Sequence, residues 1–374
     1  MVERNRELGF NPDLPNATTL INDNHSDEAK VNRVLSREAR ANGKIFVLRT
    51  CSDARAANGI PRNRVIHVPS IATAGPIIPY GEMISYQSTL GIVNAVHYDG
   101  LAFKPGEKPT GCGGLLAKEA SKQTSKREGK AIESHIDKIP SEDPIITNFF
   151  EAEELANNTE KPVLAAAQDH RSGIFYPIAL FLNRGREIRT NIPIRYLYEG
   201  LYNPKKIYEN GIPFLDETQL TEEFQEFLEL NLVESARMQM LYPDFAETTK
   251  SQNPGFLIFT SEKTTARERY PKTLEGPSSY FSIHIPRGKI GEFAFVDKEA
   301  FEGSINQAQY PIEHFSNIHT VLIETPNLLQ SRGFAQELIK KFKSDNWRVA
   351  GNFQVLAAAS TSGITTGVEV IKPL

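Results

Sequence analysis

Short, apolar, β-branched segments alternate with helical patterns along this chain, and this alternation constrains the fold more than any other feature. In the first half the segments cover 44–48, 64–68, 94–98 and 162–167, and 175–181 continues the pattern. Runs of this length and composition are typical of strands that are buried on both faces of a parallel sheet. Strands separated by helices therefore predict an α/β fold, with a mostly parallel β-sheet flanked by helices.

Helical patterns lie between and around these strands. The predicted helices cover 26–42, 82–93, 115–127, 144–157, 218–240 and 305–315. The helix over 26–42 places Val31, Val34 and Leu35 on one face. Residues 1–25 are polar and rich in asparagine, which indicates an arm that lies on the surface or on a partner.

The second half of the chain repeats the order of the first. Four of its segments resemble the first-half strands in sequence order: 256–259, 282–286, 320–324 and 355–359. Four similar segments in the same order favour a tandem duplication. The alternative, that any two parallel α/β domains share apolar strands, stays open at this point.

Composition excludes several classes of function. The 374 residues are 40% hydrophobic and 24% charged, a profile typical of globular proteins, and the net charge of −4 argues against nucleic acid or an anionic membrane as the main partner. No apolar run reaches the roughly 20 residues that cross a bilayer. The first twenty residues contain no apolar core of a secretory signal, so a cytoplasmic location is predicted.

The chain has only two cysteines, Cys51 and Cys112. In a reducing compartment they are either buried thiols or metal ligands, and their neighbours favour ligands. Cys51 directly follows the first strand, at the edge where parallel sheets build their sites, and Asp53 and Arg55 come next. A thiolate binds zinc, a carboxylate coordinates the metal or accepts a proton from water, and an arginine holds that carboxylate by a bidentate pair.

Cys112 lies in the turn Thr110–Gly114, which opens a predicted helix. Glycines on either side let the backbone turn tightly, and a helix N-terminus favours the deprotonated thiol.

Together the two motifs resemble the β-class carbonic anhydrase family. Its signature is Cys-x-Asp-x-Arg after the first strand, followed by a histidine and a Gly-Cys-Gly-Gly turn, and Cys51, Asp53, Arg55 and Cys112 match it. The resemblance implies that Zn²⁺ is held by two cysteines and a histidine, here His97, with Asp53 and Arg55 as catalytic residues. It also implies hydration of carbon dioxide to bicarbonate by a zinc-bound hydroxide.

The sequence departs from the family at the histidine. The usual His-x-x-Cys spacing falls on Pro109, which cannot bind zinc, and the nearest upstream histidine is His97. Residues 100–109 then form an inserted loop, which costs little entropy. The alternatives are that His97 is an ordinary core or surface histidine, or that His170 serves as ligand or proton shuttle.

The second half lacks this chemistry. Counting five residues from Phe256 reaches Ser261 in place of Cys51, Lys263 stands for Asp53, and Leu322 for His97. An active copy fused to a degenerate copy resembles the carboxysomal shell branch of the family, in which two tandem copies form a pseudo-dimer. The expected domains are an arm and helix over 1–43, a catalytic zinc-binding domain over 44–205 and a degenerate domain over 215–374.

Several expectations follow from the resemblance. The partners are carbon dioxide and bicarbonate, with no nucleic acid, and the chain forms a homo-oligomer of pseudo-dimers, in the cytoplasm or in a carboxysome. Two competing functions remain: a non-catalytic zinc or scaffold protein of the same fold, and a related hydrolase acting on carbon disulfide or carbonyl sulfide.

Overall fold

A computed structural model describes residues 17–51, 56, 58–62, 64–70, 89–98, 143–169, 171–200, 211–241, 255–262, 266–274, 280–285, 287–290, 293–296, 298, 301–302, 305, 318–344 and 354–371. The chain divides into two compact units, one formed by 39–246 and the other by 1–38 with 247–374. Each unit contains a mostly parallel mixed sheet flanked by helices, so the predicted α/β class is confirmed.

The first unit is built on a six-stranded sheet. Its strands are β1 (Phe46–Cys51), β2 (Val65–Ser70), β3 (Gly91–Tyr98), β4 (Val163–Asp169), β5 (Phe175–Leu182) and β6 (Glu187–Thr190). They lie in the order β2-β1-β3-β4-β5-β6, with the first four parallel and the last two antiparallel. The carboxyl ends of β1, β2, β3 and β4 therefore meet at one edge.

Helices of the first unit cover both faces of this sheet. The unit's helices are α3 (Pro144–Thr159), α4 (Ile194–Gly200) and α5 (Glu222–Leu241), while α1 (Ala17–Asn24) and α2 (Asp27–Ala41) precede the first strand. Phe149 of α3 belongs to the core that contains Val47 and Val96. Phe224 and Phe227 of α5 pack on Phe46, with ring centroids 5.9 and 5.5 Å away. Burial on both faces explains why these strands are continuously apolar.

The second unit contains a five-stranded sheet. Its strands are β7 (Phe256–Thr260), β8 (Tyr280–His284), β11 (Thr320–Thr325), β12 (Gln354–Thr361) and β13 (Ile364–Ile371), and β9 (Arg287–Ile290) pairs separately with β10 (Phe293–Val296). The helices α6 (Ala266–Arg269) and α7 (Leu328–Ser344) also belong to this unit. Only β13, which pairs with β12, is antiparallel among the five.

The two large sheets share one strand order. The second reads β8-β7-β11-β12-β13, which corresponds to β2-β1-β3-β4-β5 in both order and direction. The registers also correspond, because Phe46 pairs with Gly91 where Phe256 pairs with Thr320. The match of β8 to β2 is displaced by two residues, since Phe46 pairs with Val65 but Phe256 pairs with Tyr280 rather than with Ser282.

Two local expectations from the sequence were wrong, those for the helix over 82–93 and for the arm over 1–25, and the apolar face of α2 is exposed. The helix predicted over 82–93 cannot reach its end, because β3 begins at Gly91; residues 71–88 lie outside the described ranges. The apolar residues Val31, Val34 and Leu35 of α2 are 56, 49 and 41% exposed. The buried residues of this helix are small or polar instead: Ala29, Asn32, Ser36 and Ala39. Part of the predicted arm forms α1, whose Leu20 is fully buried.

Other predicted segments fall outside the described residues. These are the arm over 1–16, the helix over 115–127, and the helix over 305–315 apart from Ile305. In the ranges that are described, no helix has the combination of length and apolarity that crossing a bilayer requires.

Gly59 and Gly43 allow a direct test of the packing beside β1. Both have a left-handed backbone, with φ of 67° and 65°. A Cβ on Gly59 would lie against the Gly173 carbonyl oxygen and 2.6 Å from the Ser235 hydroxyl, whereas one on Gly43 has nothing within 4 Å. We expect Gly43→Ala to lower the free energy of unfolding by about 1 kcal/mol through backbone strain, and Gly59→Ala by about 3 kcal/mol or more. Urea titration measures both, and equal losses would contradict the close approach.

Candidate metal centre at the carboxyl edge of the first sheet

The predicted ligands are described to different extents. Cys51 is the last residue of β1, but its side chain lies outside the described part of the chain, as do Asp53, Arg55 and Cys112 entirely. Pro109 and His170 are outside it as well. His97 is the one predicted ligand whose side chain is described.

His97 lies at the carboxyl end of β3 and is only 1% exposed. Arg49 of β1 pairs with Asn94 of β3, and the same register carried two residues further would bring the Cys51 backbone level with Val96. Because successive residues of a strand alternate between the two faces of a sheet, this register places the positions of Cys51 and His97 on opposite faces, so a metal that both bind would lie beyond the strand ends. The sheet thus brings two of the three predicted ligand positions to one edge.

A second buried polar residue lies beside His97. Gln168 of β4 pairs in register with His97 and is fully buried. Its Nε2 donates a hydrogen bond of 2.6 Å to the carbonyl of Asn58, in the segment that follows β1. Asn58 in turn donates to the carbonyl of Arg171, at 3.3 Å.

Asn231 of α5 holds the segments that contain Asn58 and Arg171 in place. The Asn231 amide donates to the carbonyls of Gly59 and Gly173 at 2.7 and 2.8 Å and accepts a hydrogen bond from the Phe175 backbone at 3.0 Å. Asn231 and these three partners are all buried, which makes the arrangement costly to disrupt. The segments that follow β1 and β4 are therefore held rigidly at the same edge of the sheet.

Near the end of β1, Thr50 contacts a further histidine. The Thr50 hydroxyl and Nε2 of His67, on β2, lie 2.8 Å apart. Thr50 is 1% exposed and directly precedes Cys51. The sequence shows that Thr50 is a polar residue in a buried strand, which must find a hydrogen-bonding partner. That the partner is His67 depends on the pairing of β1 with β2.

A buried polar chain ties β1 to the helix α3. Arg49 donates to Asn94 at 3.2 Å, Asn94 donates to Asn148 at 2.6 Å, and Asn148 donates to the Ala166 carbonyl at 3.0 Å. Each member of this chain is at most 5% exposed. These contacts link β1, β3, α3 and β4, and sequence reasoning did not identify them.

Asp169 forms the turn that follows β4. Its carboxylate accepts hydrogen bonds from the backbone of Arg171 and from the backbone and hydroxyl of Ser172, at 3.2, 3.3 and 2.8 Å. Burial, together with this carboxylate, raises the pKa of Tyr176, so its hydroxyl stays protonated at neutral pH. The Asp169 carboxylate therefore stabilises the turn that follows β4.

In the described ranges, no three side chains of His, Cys, Asp or Glu lie close enough together to hold a metal ion. The side chains of Cys51, Asp53 and Cys112 are not within those ranges. The described residues thus contribute His97 and the polar groups around it.

The corresponding edge of the second sheet corrects one sequence match. His97 pairs with Gln168, and Thr325 pairs with Ala359, so the position of His97 corresponds to Pro326, beside Ser360. Leu322, which the sequence comparison chose, pairs with Leu356 in the middle of the sheet. Apolar strands look alike after a shift of four residues, which is why composition did not reveal the error.

A buried ion pair occupies this second edge. Arg269 and Glu324 are both fully buried, 2.5 Å apart, and Arg269 also donates to the Thr260 hydroxyl at 3.2 Å. Tyr270 donates to Glu324 and lies 2.8 Å from the Thr365 hydroxyl. Burial and the Glu324 charge raise the pKa of Tyr270 well above its ordinary value. The Glu324 carboxylate therefore accepts hydrogen bonds from the Arg269 guanidinium and from a neutral tyrosine hydroxyl.

Comparison with known proteins gives no family. No family model matches the chain, and no curated protein matches it. Two solved structures, of the Mn-bound and the Cd-bound periplasmic metal binding protein from Candidatus Liberibacter asiaticus, are 13 and 12% identical to it. Each covers 80% of this chain and 86% of the other chain at a TM-score of 0.16, too low to inform either fold or function.

Glu324→Gln tests the ion pair of the second sheet. We expect a loss of roughly 3 kcal/mol or more in the free energy of unfolding, because Arg269 stays charged and buried while it loses the carboxylate to which it donates a hydrogen bond. The matched control is Glu369→Gln, which breaks a partly exposed pair with Arg332 and should cost at most about 1 kcal/mol. Chemical denaturation measures both, and a Glu324 variant as stable as the control would refute the role of the pair.

Proposed function

We propose that this chain binds one Zn²⁺ through Cys51, His97 and Cys112 and hydrates carbon dioxide to bicarbonate. The observation that carries the proposal is the burial of His97 at the carboxyl end of β3, next to the strand that ends in Cys51. The motif residues Asp53 and Arg55 follow that strand end in the sequence.

The donor set suits zinc. Two thiolates and one imidazole are among its preferred ligands, and three protein ligands leave a fourth position for water, as in catalytic zinc sites. Zinc, when bound, supplies a Lewis acid that acidifies a water molecule enough to attack carbon dioxide near neutral pH. The burial of His97 restricts the access of bulk water to that side of the site.

The chain's own residues orient the reaction. Asp53 accepts a hydrogen bond from the attacking water and thereby aims a lone pair at the carbon of carbon dioxide. In this proposal Arg55 would orient the Asp53 carboxylate by a charge-assisted pair. Asn231 and Gln168 fix the segments after β1 and β4, so that the site needs little reorganisation.

We also propose that the two halves are tandem copies that form a pseudo-dimer, of which the second copy is degenerate. The shared strand order and the corresponding registers of the two sheets support this proposal. Ser261 and Pro326 stand at the positions of Cys51 and His97, and neither supplies the thiolate or imidazole that the site requires.

One observation favours a second candidate function. Pro109 occupies the place at which the family ordinarily has its histidine, so the metal site would depend on a histidine fifteen positions before Cys112. A zinc-binding or scaffold protein without hydration activity would tolerate that change more readily than an enzyme.

Zinc content and stopped-flow hydration of carbon dioxide test the proposal together. We expect about one zinc ion per wild-type chain and rapid hydration, and we expect Cys51→Ser to lose both, because a hydroxyl is a much poorer zinc ligand than a thiolate. Ser261→Ala, the matched change in the second sheet, should retain both.

The outcomes separate the candidates. Zinc without hydration above the Cys51→Ser background would favour the scaffold function. A folded wild-type chain that takes up no zinc would contradict the enzyme and the zinc-binding alternative, and would leave only a metal-free scaffold.

A further inference from the structure

We propose that Gln168 positions the His97 imidazole for metal binding, by accepting a hydrogen bond through Oε1 from the ring N–H that does not face the metal. This inference rests on the zinc site proposed above. It assigns a role to a residue outside the motif that suggested that site.

The register of the sheet places the two residues side by side, and Oε1 of Gln168 makes no hydrogen bond to His97 in this structure. His97 and Gln168 are a register pair on adjacent parallel strands, and the side chains of such a pair project from the same face of the sheet. Both residues are buried, with 1 and 0% exposure. Neighbouring strands are about 4.8 Å apart, which is within reach of an imidazole and a three-carbon amide side chain.

The orientation of the Gln168 amide follows from its hydrogen bond. Nε2 donates to the Asn58 carbonyl at 2.6 Å, and a flipped amide would place two oxygen acceptors against each other. Oε1 must therefore point away from Asn58. Among the residues that the structure describes, Oε1 is buried and accepts no hydrogen bond.

An acceptor that is buried without a donor is costly, so its persistence calls for a donor. A histidine that binds a metal commonly donates its other ring N–H to an oxygen acceptor, which fixes the tautomer and the ring orientation. Oε1 of Gln168 has the required chemistry. A neutral amide also suits a site with two thiolates, because it adds no further negative charge.

The support for Gln168 is rigid. Asn58 donates to the Arg171 carbonyl at 3.3 Å, and Asn231 holds the carbonyls of Gly59 and Gly173 at 2.7 and 2.8 Å. The acceptor is thus anchored through two segments of the chain and one helix. This is the arrangement expected for a residue that orients a ligand.

Two variants distinguish positioning from a merely structural role. Gln168→Leu removes both the donor to Asn58 and the acceptor, whereas Gln168→Glu removes the donor but keeps an oxygen acceptor. We expect Gln168→Leu to weaken zinc binding by roughly 10- to 100-fold, in competition with a chromophoric chelator, and Gln168→Glu to bind within a few-fold of wild type. Ser360→Ala, at the corresponding position of the second sheet, should leave zinc affinity unchanged.

Equal weakening by both Gln168 variants would show that the bond to Asn58 matters and would overturn the proposal. Wild-type affinity in a folded Gln168→Leu chain would overturn it as well, while leaving the zinc site intact. A wild-type chain that binds no zinc would overturn the zinc site and this inference together.

If Gln168→Leu does not fold, histidine ¹⁵N spectra of the zinc-loaded wild-type chain decide. A slowly exchanging His97 ring N–H with a hydrogen-bonded proton shift is the expected result, and this signal should change in Gln168→Glu. A rapidly exchanging ring proton would overturn the proposal.

Discussion

Parallel pairing of β1, β3 and β4 is the constraint on which the rest of the first unit depends. Because the three strands run in one direction, their carboxyl ends meet, and residues far apart in sequence become neighbours. Cys51, His97 and Gln168 lie at these three ends. A shift of one residue in the register of β3 with β4 would turn the side chains of one strand to the opposite face and separate His97 from Gln168.

Buried polar groups make this register specific. Apolar contacts alone tolerate sliding, since valine, leucine and alanine fill similar space in neighbouring positions. The chain from Arg49 through Asn94 to Asn148 has no such tolerance, because a slipped strand would leave buried donors unsatisfied. The bond from Gln168 to Asn58 acts in the same way at the carboxyl edge. Register and site geometry thus depend on the same few hydrogen bonds.

Much of the fold could be predicted from the sequence because composition marks a buried strand directly. The segments at β1, β4, β7 and β12 were found in this way, and they fixed the α/β class. Whatever depends on pairing could not be predicted. The apolar face of α2 is exposed while its small and polar residues are buried, and the match of His97 to Leu322 was four residues out. Gln168 was not identified from the sequence, because its place beside His97 depends on the register of β3 with β4.

At the carboxyl edge, one pair of corresponding register positions holds the same residue type in both sheets and another pair holds different residue types. The register that matches Gly91 to Thr320 also matches Ala95 to Glu324, and the one that matches Phe46 to Phe256 matches Thr50 to Thr260. The threonine is kept and binds a different partner in each sheet: His67 in the first and Arg269 in the second.

The substitution at the other position decides what the edge can do. Ala95 in β3 carries no charge, whereas Glu324 brings a charge that Arg269 neutralises and to which Tyr270 donates a hydrogen bond. The two sheets therefore share a register but differ at this edge: the second has a buried ion pair, and the first has a buried oxygen acceptor that receives no hydrogen bond from the described residues.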